Sequence, residues 1–108
     1  MTELEFQDRS NAALAALYKK LGPASDKHDF ESDMNAGALS VEFEEPKAKF
    51  VVSPNSPVRQ IWVSAHSRSF KLDWVDAREA FVHPDTGLTL DGLMADAISK
   101  QIGETVEL

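Results

Sequence analysis

Two switches of hydrophobic period divide the chain, and they leave few folds open to it. Near the N-terminus Phe6, Ala13, Leu14, Leu17 and Leu21 recur on one face at helical spacing, and near the C-terminus Leu90, Leu93, Met94, Ala97, Ile98 and Ile102 do the same. Between these stretches the period is two. Phe30 and Met34 alternate with acids, and Leu39, Val41 and Phe43 alternate with Ser40 and Glu42. Phe50 and Val52 follow a turn expected at Glu45-Pro46. Arg59, Ile61, Val63 and Ala65 alternate with Gln60, Trp62, Ser64 and His66, and Phe70, Leu72 and Trp74 alternate with Lys71 and Asp73. Phe81-Val82-His83, before a Pro84-Asp85 turn, is a sixth candidate strand. The connections are too short for helical crossovers, so the sheet is expected to be antiparallel, with one face on the core and one in water. The fold class that follows is α+β: a two-layer α/β sandwich with two terminal helices packed on one face of a five- to six-stranded antiparallel sheet.

Local signals set the expected helix ends. Thr2 and Glu5 form a capping box at the start of the first helix. Gly22 suits the left-handed position after a helix and Pro23 cannot continue one, so the stop is expected near Leu21. For the second helix Thr89 is the N-cap, Leu88 and Leu93 a hydrophobic staple, Asp91 a first-turn acid and Gly103 the closing residue.

A chain of 108 residues with no repeat and no linker is expected to be one domain spanning 1–108. It has no cysteine, which removes disulfides, zinc–thiolate sites, cluster ligation by its own thiols and thiol nucleophiles. The net charge of −7 has the wrong sign for a phosphate backbone, so no nucleic-acid partner is expected. The longest apolar run, Ala12 to Tyr18, is far below the roughly 20 residues a bilayer requires, so no membrane partner is expected either. Glu3, Glu5 and Asp8 at the start are unlike a secretory or transit segment, and a cytoplasmic bacterial protein is the expectation. The charge is also unevenly spread. Residues 46–72 carry Lys47, Lys49, Arg59, Arg68 and Lys71 and no acid, between two acidic segments. Such polarity favours oriented docking on a charged partner.

Two groups of side chains could carry chemistry. On a strand beginning at Asp29, alternation puts Asp29, Glu31 and Asp33 on one face. Residues two apart on a strand are roughly 6.6 Å apart, too far to close a tight cage, so a metal there would be weakly held and largely hydrated. Carboxylates with His28 nearby suit hard cations and Fe(II). The same acids also describe a charged edge strand that resists aggregation. The second group surrounds Trp62. If Ile61 and Val63 face the core, Trp62 lies with Gln60 and Ser64 on the solvent face, near Arg59 and Lys71, as an interface anchor would. A bulge that inverts the register would instead bury Trp62. Enzyme signals are poor. His28, His66 and His83 lack metal-motif spacing, Ser64 and Ser67 lie in no nucleophile elbow, and there is no glycine-rich phosphate loop.

Asn35-Ala36-Gly37-Ala38-Leu39-Ser40-Val41, then Gln60-Ile61-Trp62-Val63-Ser64, then Lys71-Leu72-Asp73-Trp74, with the ending Gly103-Glu104-Thr105-Val106, resemble the frataxin family in its bacterial form over essentially the whole chain. The resemblance implies a small, non-enzymatic iron-binding protein that acts on the cysteine desulfurase and scaffold of iron–sulfur cluster assembly and modulates their rate. It implies loosely held iron (Fe2+ or Fe3+) on an acidic ridge, here Asp29 and Glu31, with Asp26 in the preceding loop and Asp33 further along the strand. It implies partner binding by the sheet face carrying Gln60, Trp62, Ser64 and Lys71. A monomer is expected, with iron load as the condition for self-association. The chain departs from the family late in the first helix, where Tyr18, Lys19, Lys20 and Gly22 stand in place of acids, leaving Glu5 and Asp8 at the helix start to contribute. Val58 stands where eukaryotic members show a polar residue. Two readings remain: an iron-binding regulator or donor, and a regulator that binds only protein. Ferroxidase chemistry would call for a diiron site, and no paired Glu-x-x-His motif is visible.

Overall fold

Thr2 caps the first helix as the sequence suggests, its hydroxyl oxygen accepting from the Glu5 N–H at 3.1 Å. In the computed structural model, which describes residues 1–44 and 47–108, this helix (α1, Glu3–His28) does not stop at Leu21. It runs through Gly22 and Pro23 and ends at Asp29, which takes the left-handed conformation at φ 57°. The reason is packing. Phe6, Ser10, Leu14, Leu17, Leu21 and Ala24 form one unbroken buried stripe, and ending the helix at Leu21 would pull Ala24 off it. Burial along a stripe outweighs local breaking signals when the helix has a core to lie on. Asp is among the few residues with a side chain that tolerates the left-handed position.

Six strands follow in chain order: β1 (Glu31–Asn35), β2 (Ala38–Glu44), β3 (Lys47–Asn55), β4 (Gln60–Ala65), β5 (Arg68–Val75) and β6 (Ala80–Val82). The expected turn at Glu45-Pro46 lies outside the described residues. All neighbours are antiparallel and the spatial order is the chain order. Helix α2 (Leu90–Ile102) has the expected ends, with Thr89 Oγ1 accepting from the Gly92 N–H at 3.2 Å and Gly103 at φ 72°. The α+β sandwich expected from the sequence is therefore the fold.

Both helices press their stripes onto one face of the sheet. Leu39, Val41, Phe43, Phe50, Val52, Ile61, Val63, Leu72 and Phe81 meet Phe6, Leu14, Leu17, Leu21, Met94 and Ile98 in one hydrophobic cluster. Aromatic contacts brace its two ends, Phe30 to Phe43 to Phe50 at 5.5 and 4.9 Å, and Trp74 to Phe81 to Phe6 at 5.2 and 5.9 Å. Among the described residues no helix lies over the opposite face. Lys20 pairs with Asp91, and His28 Nδ1 lies 2.9 Å from Glu104 Oε2, so α1 is tied to α2 and to the C-terminal segment.

Two hairpin turns control register. Ala36-Gly37 joins β1 to β2 with φ of 53° and 81°. His66-Ser67 joins β4 to β5 with φ of 52° and 62°, a turn of positive φ that contains no glycine. His66 is held there by the Ala97 carbonyl, 2.9 Å from its Nε2, and by the Phe50 ring at 5.0 Å.

Candidate functional site

Strand pairing builds the open face row by row, since residues opposite one another across an antiparallel pair share a face. Glu31 stands opposite Glu42, and Glu42 opposite Lys49. Asp33 stands opposite Ser40, Ser40 opposite Val51, and Val51 opposite Ser64. Ser53 stands opposite Trp62 and Trp62 opposite Lys71, while Gln60 lies between Asn55 and Asp73. The acids of β1 and the Trp62 group, found separately in the sequence, thus lie on a single face.

At the acidic end the picture changes in three ways. Asp29 is not a strand residue, because the longer helix makes it the C-cap of α1, so the expected line of Asp29, Glu31 and Asp33 on one strand face is broken. Asp26 is not in a loop; it lies in the last turn of α1 and lines one depression with Glu31, Asp33 and Glu42. Asp29 lines a neighbouring depression with Glu31, Glu42, Glu44 and Lys47. Glu42 therefore belongs to both, and sequence reading missed it. The hairpin turn at Ala36-Gly37 held the signal, since counting outward from it puts residue 31 opposite residue 42.

His28 does not join this group, since its ring is taken by Glu104. Glu5 and Asp8 cannot reach it either. From Asp8 to Asp29 the helix rises about 30 Å. Of the two lysines that stand in place of acids late in α1, Lys20 is committed to Asp91, and Lys19 is exposed. Among the described residues no three His, Asp or Glu side chains converge as a metal-binding set. The carboxylates are hard oxygen donors spread over two strands and a helix end, an arrangement that suits a hydrated cation held by few direct bonds.

At the other end Trp62 is on the solvent face, 36% exposed, between core residues Ile61 and Val63, so no bulge inverts this strand. Its indole N–H donates to Gln60 Oε1 at 3.0 Å, and the Gln60 amide donates to Asp73 Oδ1 at 2.9 Å. Lys71 Nζ sits 5.0 Å from the Trp62 ring centroid. Gln60, Trp62 and Lys71 come together as the sequence suggests. Ser64 lies one row away on the same face, opposite Ser69. Val58, in the turn before β4, is exposed close by in sequence. Asp73 is the member that sequence reading left unassigned.

A family model described as the frataxin-like domain matches residues 1–104. The chain belongs to the frataxin-like family. Relatives similar to it include a protein of Pseudomonas aeruginosa, 32% identical over 99% of this chain and 96% of the relative. Another, from Azotobacter vinelandii, is 34% identical over 73% of this chain and 71% of the relative. Both bear the name iron-sulfur cluster assembly protein CyaY. Among solved structures, the frataxin of Psychromonas ingrahamii superposes with a TM-score of 0.77 at 24% identity, covering 99% of this chain and 97% of that one. Yeast frataxin superposes with a TM-score of 0.73 at 18% identity, over 95% and 85%. At those identities the likeness is one of fold: two helices on a six-stranded antiparallel sheet, the frataxin arrangement.

Proposed function

We propose that this chain is a cytoplasmic accessory protein of iron–sulfur cluster assembly, which docks on the cysteine desulfurase and its scaffold through the open sheet face and holds iron loosely at that face's acidic end. It regulates the rate of assembly and performs no catalytic step itself. The names of the relatives support the place in cluster assembly. The observation that carries the docking half is Trp62, a large aromatic held outward on an uncovered face by Gln60 and flanked by Lys71. Trp is among the residues that dominate interface hot spots. Glu31, Asp33 and Glu42 on the same face give it the sign to steer toward a basic partner surface.

For the iron half, the support is the chemistry of Asp26, Glu31, Asp33 and Glu42 around one depression, with iron as cargo. The absence of a converging donor set among the described residues favours a second reading, in which the acids serve only to dock on protein. Titration calorimetry with the desulfurase–scaffold complex, with and without Fe(II), separates the two. Under the first reading iron binds the free chain with micromolar or weaker affinity and changes its affinity for the complex. Under the second the complex binds equally well in either condition. No binding to the complex in either condition would end both.

A further inference from the structure

Gln60, Trp62, Lys71 and Asp73 form a block of two adjacent cross-strand pairs on the open face of β4 and β5. Within it the hydrogen bonds run in one direction. Asp73 Oδ1 accepts from the Gln60 amide nitrogen, and Gln60 Oε1 accepts from the Trp62 indole nitrogen. We infer that Asp73 is a positioning residue for the docking anchor: through Gln60 it holds the Trp62 ring in its binding orientation before any partner arrives. The inference rests on the docking reading above and adds to it the device that prepares the anchor.

Donors and acceptors fix which way the Gln60 amide turns. A side-chain amide has one end that accepts and one that donates, and rotating it by half a turn exchanges them. An ionised carboxylate only accepts. With Asp73 opposite, the nitrogen end of Gln60 must face it, which leaves the oxygen end for the indole N–H. Remove Asp73 and the amide is free to turn, bringing its NH2 against the indole N–H, where two donors meet and neither is satisfied. The ring then loses the bond that fixes it. Lys71, opposite Trp62, bears on the face of the ring, so the block constrains the indole at its nitrogen and across its plane.

This also states what kind of partner surface fits. The indole nitrogen is already satisfied within the chain, so the partner has no need of an acceptor there. It must offer an apolar pocket for the exposed edge of the ring, with an acidic group beside it to meet Lys71. A partner site built around an acceptor for the indole N–H would have to break the Gln60 bond first.

The test has an arm that needs no partner. The chain contains two tryptophans, and Trp74 donates its indole N–H to Asp76 at 2.6 Å, outside the block, so it is an internal reference. In Asp73→Ala the NMR signal of the Trp62 indole N–H is expected to shift and to exchange faster with solvent while that of Trp74 stays in place. Asp73→Asn, which can offer a carbonyl oxygen in the same position, is expected to restore the wild-type signal. In the second arm Asp73→Ala weakens binding to the desulfurase–scaffold complex about 3- to 10-fold, the cost of ordering one large side chain on binding. Asp73→Asn recovers most of that, and the loss vanishes when Trp62 is already Ala. An unmoved Trp62 indole signal in Asp73→Ala overturns the inference, as does an Asp73→Asn variant as weak as Asp73→Ala, which would mean that charge alone matters. Unchanged binding by Trp62→Ala overturns the docking reading and, with it, the partner surface drawn here, while the indole arm still decides whether Asp73 orients the ring.

Discussion

Glu31 and Glu42 face each other directly across the β1–β2 hairpin, two exposed carboxylates at the edge of the sheet. Like charges opposite one another on a sheet destabilise it. Lys49 offsets the charge of Glu42, reaching it at 3.7 Å. A cation that settles between the two would relieve both, so binding there and folding stability are linked.

Paramagnetic Mn(II), standing in for Fe(II), should broaden NMR signals first at Glu31, Asp33, Glu42 and Asp26. Glu5 and Asp8, about 30 Å away along α1, should stay sharp. The same titration should raise the melting temperature, because a ligand that binds only the folded chain stabilises it. Sharp signals throughout 26–42 at saturating metal would sink the iron reading.

Glu31→Gln removes the repulsion without changing shape. Its expected effect is a gain of about 0.2–1 kcal/mol in stability, read by urea unfolding, together with weaker metal binding. A variant that loses stability would mean that the carboxylates are not in conflict.

Trp62→Ala and Ile61→Ala, neighbours on one strand, should behave as opposites. Ile61 is fully buried, and its truncation should cost about 2–5 kcal/mol of stability. Trp62→Ala should leave the melting temperature nearly in place and weaken binding to the assembly complex by about 2 kcal/mol or more. Equal losses of stability in the two variants would put Trp62 in the core.

Helix α1 passes through Gly22 with open space where a Cβ would go. Gly22→Ala should therefore stabilise the chain by up to about 1 kcal/mol, as it does inside helices generally. If the helix ended at Leu21 with Gly22 left-handed, the same change would destabilise, so the sign of the shift in thermal unfolding decides between them.

Ser67 occupies a left-handed position at φ 62°, which costs an L side chain roughly 1–2 kcal/mol. Ser67→Gly should recover part of that, seen as a melting temperature a few degrees higher. His66, anchored to Ala97 and Phe50, should not yield the same gain.

The sequence was legible wherever one local rule acted alone. The ends of α2 at Thr89 and Gly103 follow from capping, and the outward side of Trp62 follows from alternation with Ile61 and Val63. It was misleading at Gly22-Pro23, where a local stop signal competed with a buried stripe that reaches Ala24. That early stop put Asp26 in a loop and Asp29 on a strand, where the structure has a helix residue and a helix cap. Glu42 and Asp73 went unseen for another reason. Each matters through the residue opposite it, Glu31 or Gln60, and such pairs exist only once register is known. The uneven charge along the chain did not reveal that the acids of β1 and Trp62 occupy the same side of the sheet.

Because each strand lies beside its neighbours in the chain, every hairpin can close over a short connection at small entropic cost. A folding nucleus that starts in any one of them can therefore grow strand by strand in either direction. Long closures fall to the helices. The contacts that join α1 to α2 and the C-terminal segment, Lys20 with Asp91 and His28 with Glu104, bridge 71 and 76 residues of chain. They act as a latch on a meander that is otherwise assembled from local parts.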